Sequence, residues 1–86
     1  MKIRFHRNFE KQYKKLRVSE KEKIKERLAL FIQDEFAPIL NNHPLNGEHK
    51  GYRSINITGD FRAIYKRVFS DTRVFAAVDS HSNLYG

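Results

Sequence analysis

The chain has no cysteine and no tryptophan, only four glycines and two prolines, and ten acidic residues against seventeen lysines and arginines. Without cysteine there are no disulfides, no thiolate nucleophile and no cysteine-type zinc site, and nothing equips the chain for an oxidising compartment. A cytoplasmic location is the expectation. The longest unbroken apolar run, Leu28 to Ile32, is five residues, far short of the roughly 20 that a membrane-spanning helix needs. Charge begins at Lys2, so neither a secretory signal nor a membrane partner is expected. No glycine-rich loop follows a strand, no serine sits in a nucleophile elbow, and no histidine or carboxylate spacing suits a metal. Neither cofactor nor metal is expected.

What the chain does have is positive charge. Its 86 residues carry a formal +7, a field that favours polyanions such as nucleic acid or an acidic protein. The length allows one domain, residues 1–86, able to bury roughly 60–65% of its unfolded surface.

Ile3 and Phe5 alternate with Lys2, Arg4 and His6, which predicts a first strand within Met1–His6. Asn8 suits a helix N-cap, with Phe9, Tyr13 and Leu16 following at helical spacing. Ser19 and Glu22 fit a capping box for a second helix. Its apolar stripe is Ile24, Leu28, Phe31, Ile32 and Phe36, its end Pro38, and Leu30 reads as exposed. Pro38 to Lys50 reads as a long loop. Gly51 to Arg67 then predicts two strands folded about Gly59-Asp60 in a type II′ turn, pairing Thr58 with Phe61, Ile55 with Ile64 and Ser54 with Tyr65. This register puts Ile55, Ile57 and Ile64 against helices, and Ser54, Asn56, Thr58, Phe61, Ala63 and Tyr65 on a face suited to binding. A turn at Phe69–Thr72 leads to a last strand, Arg73–Asp79. The order β-α-α-β-β-β is α+β, an antiparallel sheet with a helix pair on one face and the other face uncovered.

His6 and His49 read as surface residues, while His43 and His81 are placed to reach the rim of the uncovered face. Asp60 suits either a turn, where its carboxylate satisfies local N–H groups, or proton transfer. Lys50, Arg53, Arg62, Lys66, Arg67 and Arg73 are strand-edge charges unless they converge. Tyr85 suits packing, stacking or acid/base work. Histidines, a carboxylate, cations and aromatics on a basic sheet together suit metal-free cleavage of RNA. The substrate brings its own nucleophile, the 2′-OH. The protein then removes that proton, stabilises the phosphorane and protonates the leaving oxygen.

The ordered set His43-Pro44-Leu45-Asn46-Gly47, Lys50-Gly51-Tyr52-Arg53-Ser54, Gly59-Asp60-Phe61-Arg62, Ile64-Tyr65-Lys66 and Ser80-His81-Ser82-Asn83-Leu84-Tyr85-Gly86 resembles the RelE superfamily, closest to its YafQ-type mRNA interferase branch. The similarity covers nearly the whole chain. It implies a fold like that of microbial ribonucleases and a ribosome-dependent endoribonuclease that cuts mRNA in the A site amid ribosomal RNA. It also implies an acidic antitoxin as partner. By position His43, Asp60 and His81 match the branch's catalytic residues, and Phe61 and Tyr85 its aromatics. The chain departs at Asn56, where the branch often has His, and at Ala77, where it often has Arg. Asn56 hydrogen-bonds but carries no proton near neutral pH, so charge at the phosphorane falls to Lys50, Arg53 and Arg62. Two alternatives share this outline, a ParE-like gyrase poison that cuts no RNA and a module that binds ribosomal RNA.

Overall fold

The N-terminal alternation forms β1 (Lys2–Phe5), and the chain turns at His6 into α1 (Arg7–Lys14). In this computed structural model, which describes residues 1–85, His6 caps α1, its Nδ1 accepting the Asn8 N–H at 3.0 Å. The helix α2 (Val18–Gln33) has its N-cap at Arg17, two residues before the predicted cap Ser19. Glu20 accepts the Arg17 N–H at 2.9 Å there, doing what Glu22 was expected to do. It also ends early, since Asp34 turns extended and its carboxylate accepts the Phe36 N–H at 3.2 Å. Ile32 and Phe36, predicted for the core, are therefore exposed, and Leu30, predicted exposed, packs against the core.

The loop that follows has structure of its own: a 3₁₀ turn at Pro38–Leu40, the two-residue strand β2 (His43–Pro44) and a 3₁₀ turn at Gly47–His49. Then come β3 (Arg53–Asn56), β4 (Phe61–Val68), β5 (Thr72–Ser80) and a last helix, α3 (His81–Tyr85). The sheet has five strands in the order β1-β5-β4-β3-β2. β3, β4 and β5 pair antiparallel as expected, β2 adds an antiparallel strand where a loop was expected, and β1 joins β5 in parallel, making the sheet mixed rather than wholly antiparallel. The class remains α+β.

The β3–β4 register differs from the predicted one by one residue. Ile55 faces Ala63, Ser54 faces Ile64 and Arg53 faces Tyr65. Thr58 is the cause. Its Oγ1 accepts the N–H groups of Asp60 (3.3 Å) and Phe61 (3.0 Å), making a three-residue loop that the Arg62 Nη1 closes by donating to the carbonyls of Thr58, Gly59 and Phe61. Gly59 is not at positive φ, so the turn is not type II′. A one-residue shift leaves the faces of β3 as predicted and inverts those of β4. Tyr65 and Ala63 enter the core with Ile55 and Ile57, Phe61 packs against that core, and Ile64 moves to the far side.

Phe31, Tyr65 and Phe75 form the centre of the core, their ring centroids 4.9–5.3 Å apart, with Phe9, Ile24, Leu40 and Val78 around them. The far side of the sheet is not bare. Ser54 and Ile64 are buried there, and α3 folds back against β5 and β4. Among the described residues no helix is long and apolar enough to cross a membrane.

At the β4–β5 tip Phe69 holds φ +63° while 82% exposed. A side chain with a Cβ pays about 1–2 kcal/mol in that region, and here it gains little burial in return. Phe69→Asn should raise stability by about 0.5–1 kcal/mol, read from the urea midpoint; an unchanged or lower midpoint would show that Phe69 packs in solution.

Candidate active site

Two of the three predicted proton carriers meet at the end of the sheet where β4 begins and β5 stops. The His81 N–H donates to the Asp60 carbonyl at 2.8 Å, which seats the first turn of α3 on the β3–β4 loop. Local sequence builds that junction. The Ser80 Oγ accepts the Asn83 N–H at 3.3 Å, and the Asp79 Oδ1 takes the Ser80 N–H at 2.7 Å and the Asn83 Nδ2 at 3.1 Å. A short helix starts where a plain tail was expected, and Ser80, a good N-cap residue three places before Asn83, was the available signal. Both Asp60 and His81 are exposed.

His43 lies across the sheet on β2, paired with Ser54, in the row that continues through Ile64 to Ala77. On strand spacings its backbone is about 10 Å across and about 13 Å along the sheet from Asp60. The ring is nevertheless oriented. Its Nδ1 lies 2.7 Å from the Asn41 carbonyl, an acceptor only, so Nδ1 is the donor in that bond. Between His43 and the Asp60–His81 end stand Asn56 and, opposite it, Arg62, itself opposite Asp79. The Asn56 Oδ1 is shut from solvent and has no hydrogen-bond partner among the described residues. Such an atom costs about 1–3 kcal/mol unless a donor reaches it.

The other predicted binding residues scatter. Arg62 spends its Nη1 on the turn, Phe61 lies against the core, and Lys50 is exposed ahead of β3. Arg53 shares the face of Tyr65, its Nε donating to the Asn42 Oδ1 at 2.7 Å and its guanidinium lying 5.3 Å from the Phe36 ring centre. It is thus turned away from the row of His43. The Tyr85 side chain lies outside the described residues. Ala77 leaves its place in the row without charge, as its residue type requires.

One polar cluster escaped the sequence reading. Arg73, read as a strand-edge charge, is 4% exposed and holds Glu35 with two hydrogen bonds, Nε to Oε2 at 3.1 Å and Nη2 to Oε1 at 3.0 Å. The Tyr65 hydroxyl donates to the same Oε2 at 2.6 Å and accepts from the Asn42 Nδ2 at 2.8 Å. Burial pushes the Glu35 carboxyl up, but the bonds from Arg73 and Tyr65 and the charges of Arg73 and Arg67 outweigh it and hold it below its usual range. Burial, with the Glu35 carboxylate next, pushes the Tyr65 hydroxyl up to about 12. The hydrogen bond to Glu35 raises Arg73 further. The signal lay in β5, where Arg73 shares the inward parity of Phe75.

The description of the YafQ family, bacterial toxin of a type II toxin–antitoxin system, matches residues 1–86. Among solved structures, YafQ from E. coli strain BL21(DE3) superposes with a TM-score of 0.79 at 25% identity, covering 98% of this chain and 97% of that one. YafQ in the E. coli DinJ–YafQ toxin–antitoxin complex gives 0.75 at 26%, covering 98% and 96%. A YoeB/ParE toxin from Agrobacterium tumefaciens shares the fold, with a TM-score of 0.78 at 24% identity over 94% and 99%. No curated protein sequence matches significantly. With the family match spanning its full length, the chain belongs to the YafQ family of type II toxin–antitoxin toxins.

Proposed function

We propose that this toxin is an endoribonuclease that cuts mRNA in the ribosomal A site, with His81 and Asp60 as its proton carriers. The observation that carries the reading is the backbone hydrogen bond of 2.8 Å that holds these two residues together at an exposed edge. The 2′-OH loses its proton to one of them as O2′ bonds to phosphorus. The P–O5′ bond then breaks, and the departing oxygen takes a proton from the other, leaving a 2′,3′-cyclic phosphate. His43, its ring held by the Asn41 carbonyl, orients the RNA. Lys50 and the remaining Arg62 donors face phosphate. The excess of +7 holds the chain to RNA and to ribosomal RNA around the site.

Translating ribosomes given the toxin should yield mRNA fragments that end in a cyclic or 3′-phosphate at the A site, without added divalent metal beyond what the ribosome holds. Intact mRNA together with gyrase-linked DNA breaks would overturn the proposal and favour a gyrase poison. E. coli YafQ assembles with DinJ, and by the same family logic this chain takes a cognate antitoxin, acidic to match its charge. Co-expression with the neighbouring small acidic protein should give a complex that salt weakens.

A further inference from the structure

Around Glu35 the charges do not balance. Two guanidinium groups approach this carboxylate, a third stands behind Asn42, and Arg73 alone occupies both carboxylate oxygens. Arg67 stays 3.6 Å from Oε1 with 54% of its side chain exposed. Arg53 reaches the cluster through Asn42, and its Nη groups have no hydrogen-bond partner among the described residues. Two positive charges are therefore left over, and both line one cleft of about 230 Å³ with Pro44, Gly51 and Tyr52. The Lys66 ammonium lies 5.6 Å from the Tyr52 ring centre, on the opposite face of β4 from Arg67.

Like charges held together without a counterion are destabilising, and a guanidinium fixed at one edge is prepared to bind with the other. Asn42 and the Phe36 ring fix Arg53 in this way. We propose that the cleft is a second anion site that takes a backbone phosphate of single-stranded RNA, with a base laid on Tyr52. Flat walls at Tyr52 and Pro44 favour a nucleotide over a bare carboxylate, because stacking adds to the charge. The inference rests on the reading of the toxin as an RNA-cutting protein. Arg67 lies seven residues along β4 from Asp60, about 23 Å, so the cleft holds RNA well away from the point of cutting. The strand runs over a length of about seven stacked nucleotides at roughly 3.4 Å each.

The test uses a fluorescent single-stranded RNA dodecamer with 2′-O-methyl groups, which binds but is not cut, titrated at several salt concentrations. Arg53→Gln and Arg67→Gln should each weaken binding by about tenfold at low salt and reduce the slope of log affinity against log salt by about 0.7. Lys15→Ala, a change of the same charge at the exposed C-cap of α1, should leave the dodecamer bound as in the wild type. Gln keeps the packing stem, and an unchanged melting temperature verifies the fold. Wild-type affinity and slope in both variants would overturn the proposal. So would variants that keep RNA but lose the acidic antitoxin, since the cleft would then be a protein contact. Cleavage of unmodified mRNA is scored separately. A reduced slope with no cleavage even by wild type refutes the nuclease reading and leaves the anion site, whereas an unchanged slope with normal cleavage does the reverse.

Discussion

His81→Ala and Asp60→Ala should each slow single-turnover cutting of A-site mRNA by about 10²–10⁴-fold, the range spanned by one general acid or base. The loss should fall on the chemical step, with ribosome binding nearly unchanged, because each substitution removes a small exposed group and leaves the formal charge at +7 (His81→Ala) or +8 (Asp60→Ala). The shared geometry adds a second expectation. Asp60 and His81 touch through backbone atoms, so neither alanine unseats the other. If one takes the 2′-OH proton and the other supplies the leaving oxygen's proton in a single step, the double variant should lose little more than the worse single one, as in other groups acting as a unit. Multiplicative losses would mean that they act in separate steps. Undiminished cutting by both variants would remove them from the chemistry altogether. His43→Gln should cost less, since its backbone stands about 10 Å across and 13 Å along the sheet from Asp60 and its ring is tied to the Asn41 carbonyl.

Much of this was legible in the letters, for reasons that can be named. Alternation in β1, the helical spacing of Phe9 and Tyr13, and the turn residues at Gly59-Asp60 each specify local structure directly, and the family resemblance rested on an ordered set spread along the chain. The pairing register was not legible, because it was decided by one hydroxyl. The loop at Thr58 closes on its own side chain and adds a residue to the turn, and that single step carried Tyr65 from the expected binding face into the core. Arg53 illustrates a different limit. Its strand position and its parity with Ile55 were readable, but the Asn42 amide and the Phe36 ring that hold its guanidinium come from the preceding loop. The parallel docking of β1 on β5 was hidden for a different reason, since partners so distant in sequence leave no local pattern. The Glu35 cluster was missed because three of its members, Arg73, Tyr65 and Asn42, look unrelated until the sheet brings them to one carboxylate.

That cluster should decide how the protein behaves at the extremes of pH. Arg73→Leu takes a bidentate partner from a Glu35 side chain that is only 9% exposed, leaving it to Tyr65 and the looser Arg67. Breaking a buried pair in this way costs about 3–5 kcal/mol, a large share of the roughly 5–15 kcal/mol that holds a domain together. Replacing both partners, Glu35→Leu with Arg73→Leu, should recover much of the loss, because no uncompensated charge remains. The sign of the acid limb follows from Glu35. Its carboxyl is held below the ordinary 4.5 in the folded state, so the stabilisation is full above that value and disappears as pH falls through the lower folded one. The alkaline limb follows from Tyr65. Its hydroxyl is raised from 10.0 to about 12, so the stabilisation is full below 10 and is lost as pH rises toward 12. Urea midpoints across pH should therefore drop at both ends in the wild type. Glu35→Gln should flatten the acid fall and Tyr65→Phe the alkaline one, each from a lower plateau. If neither substitution alters its own limb, the cluster does not persist in solution. Arg53 and Arg67 would then lose the frame that holds them at the cleft.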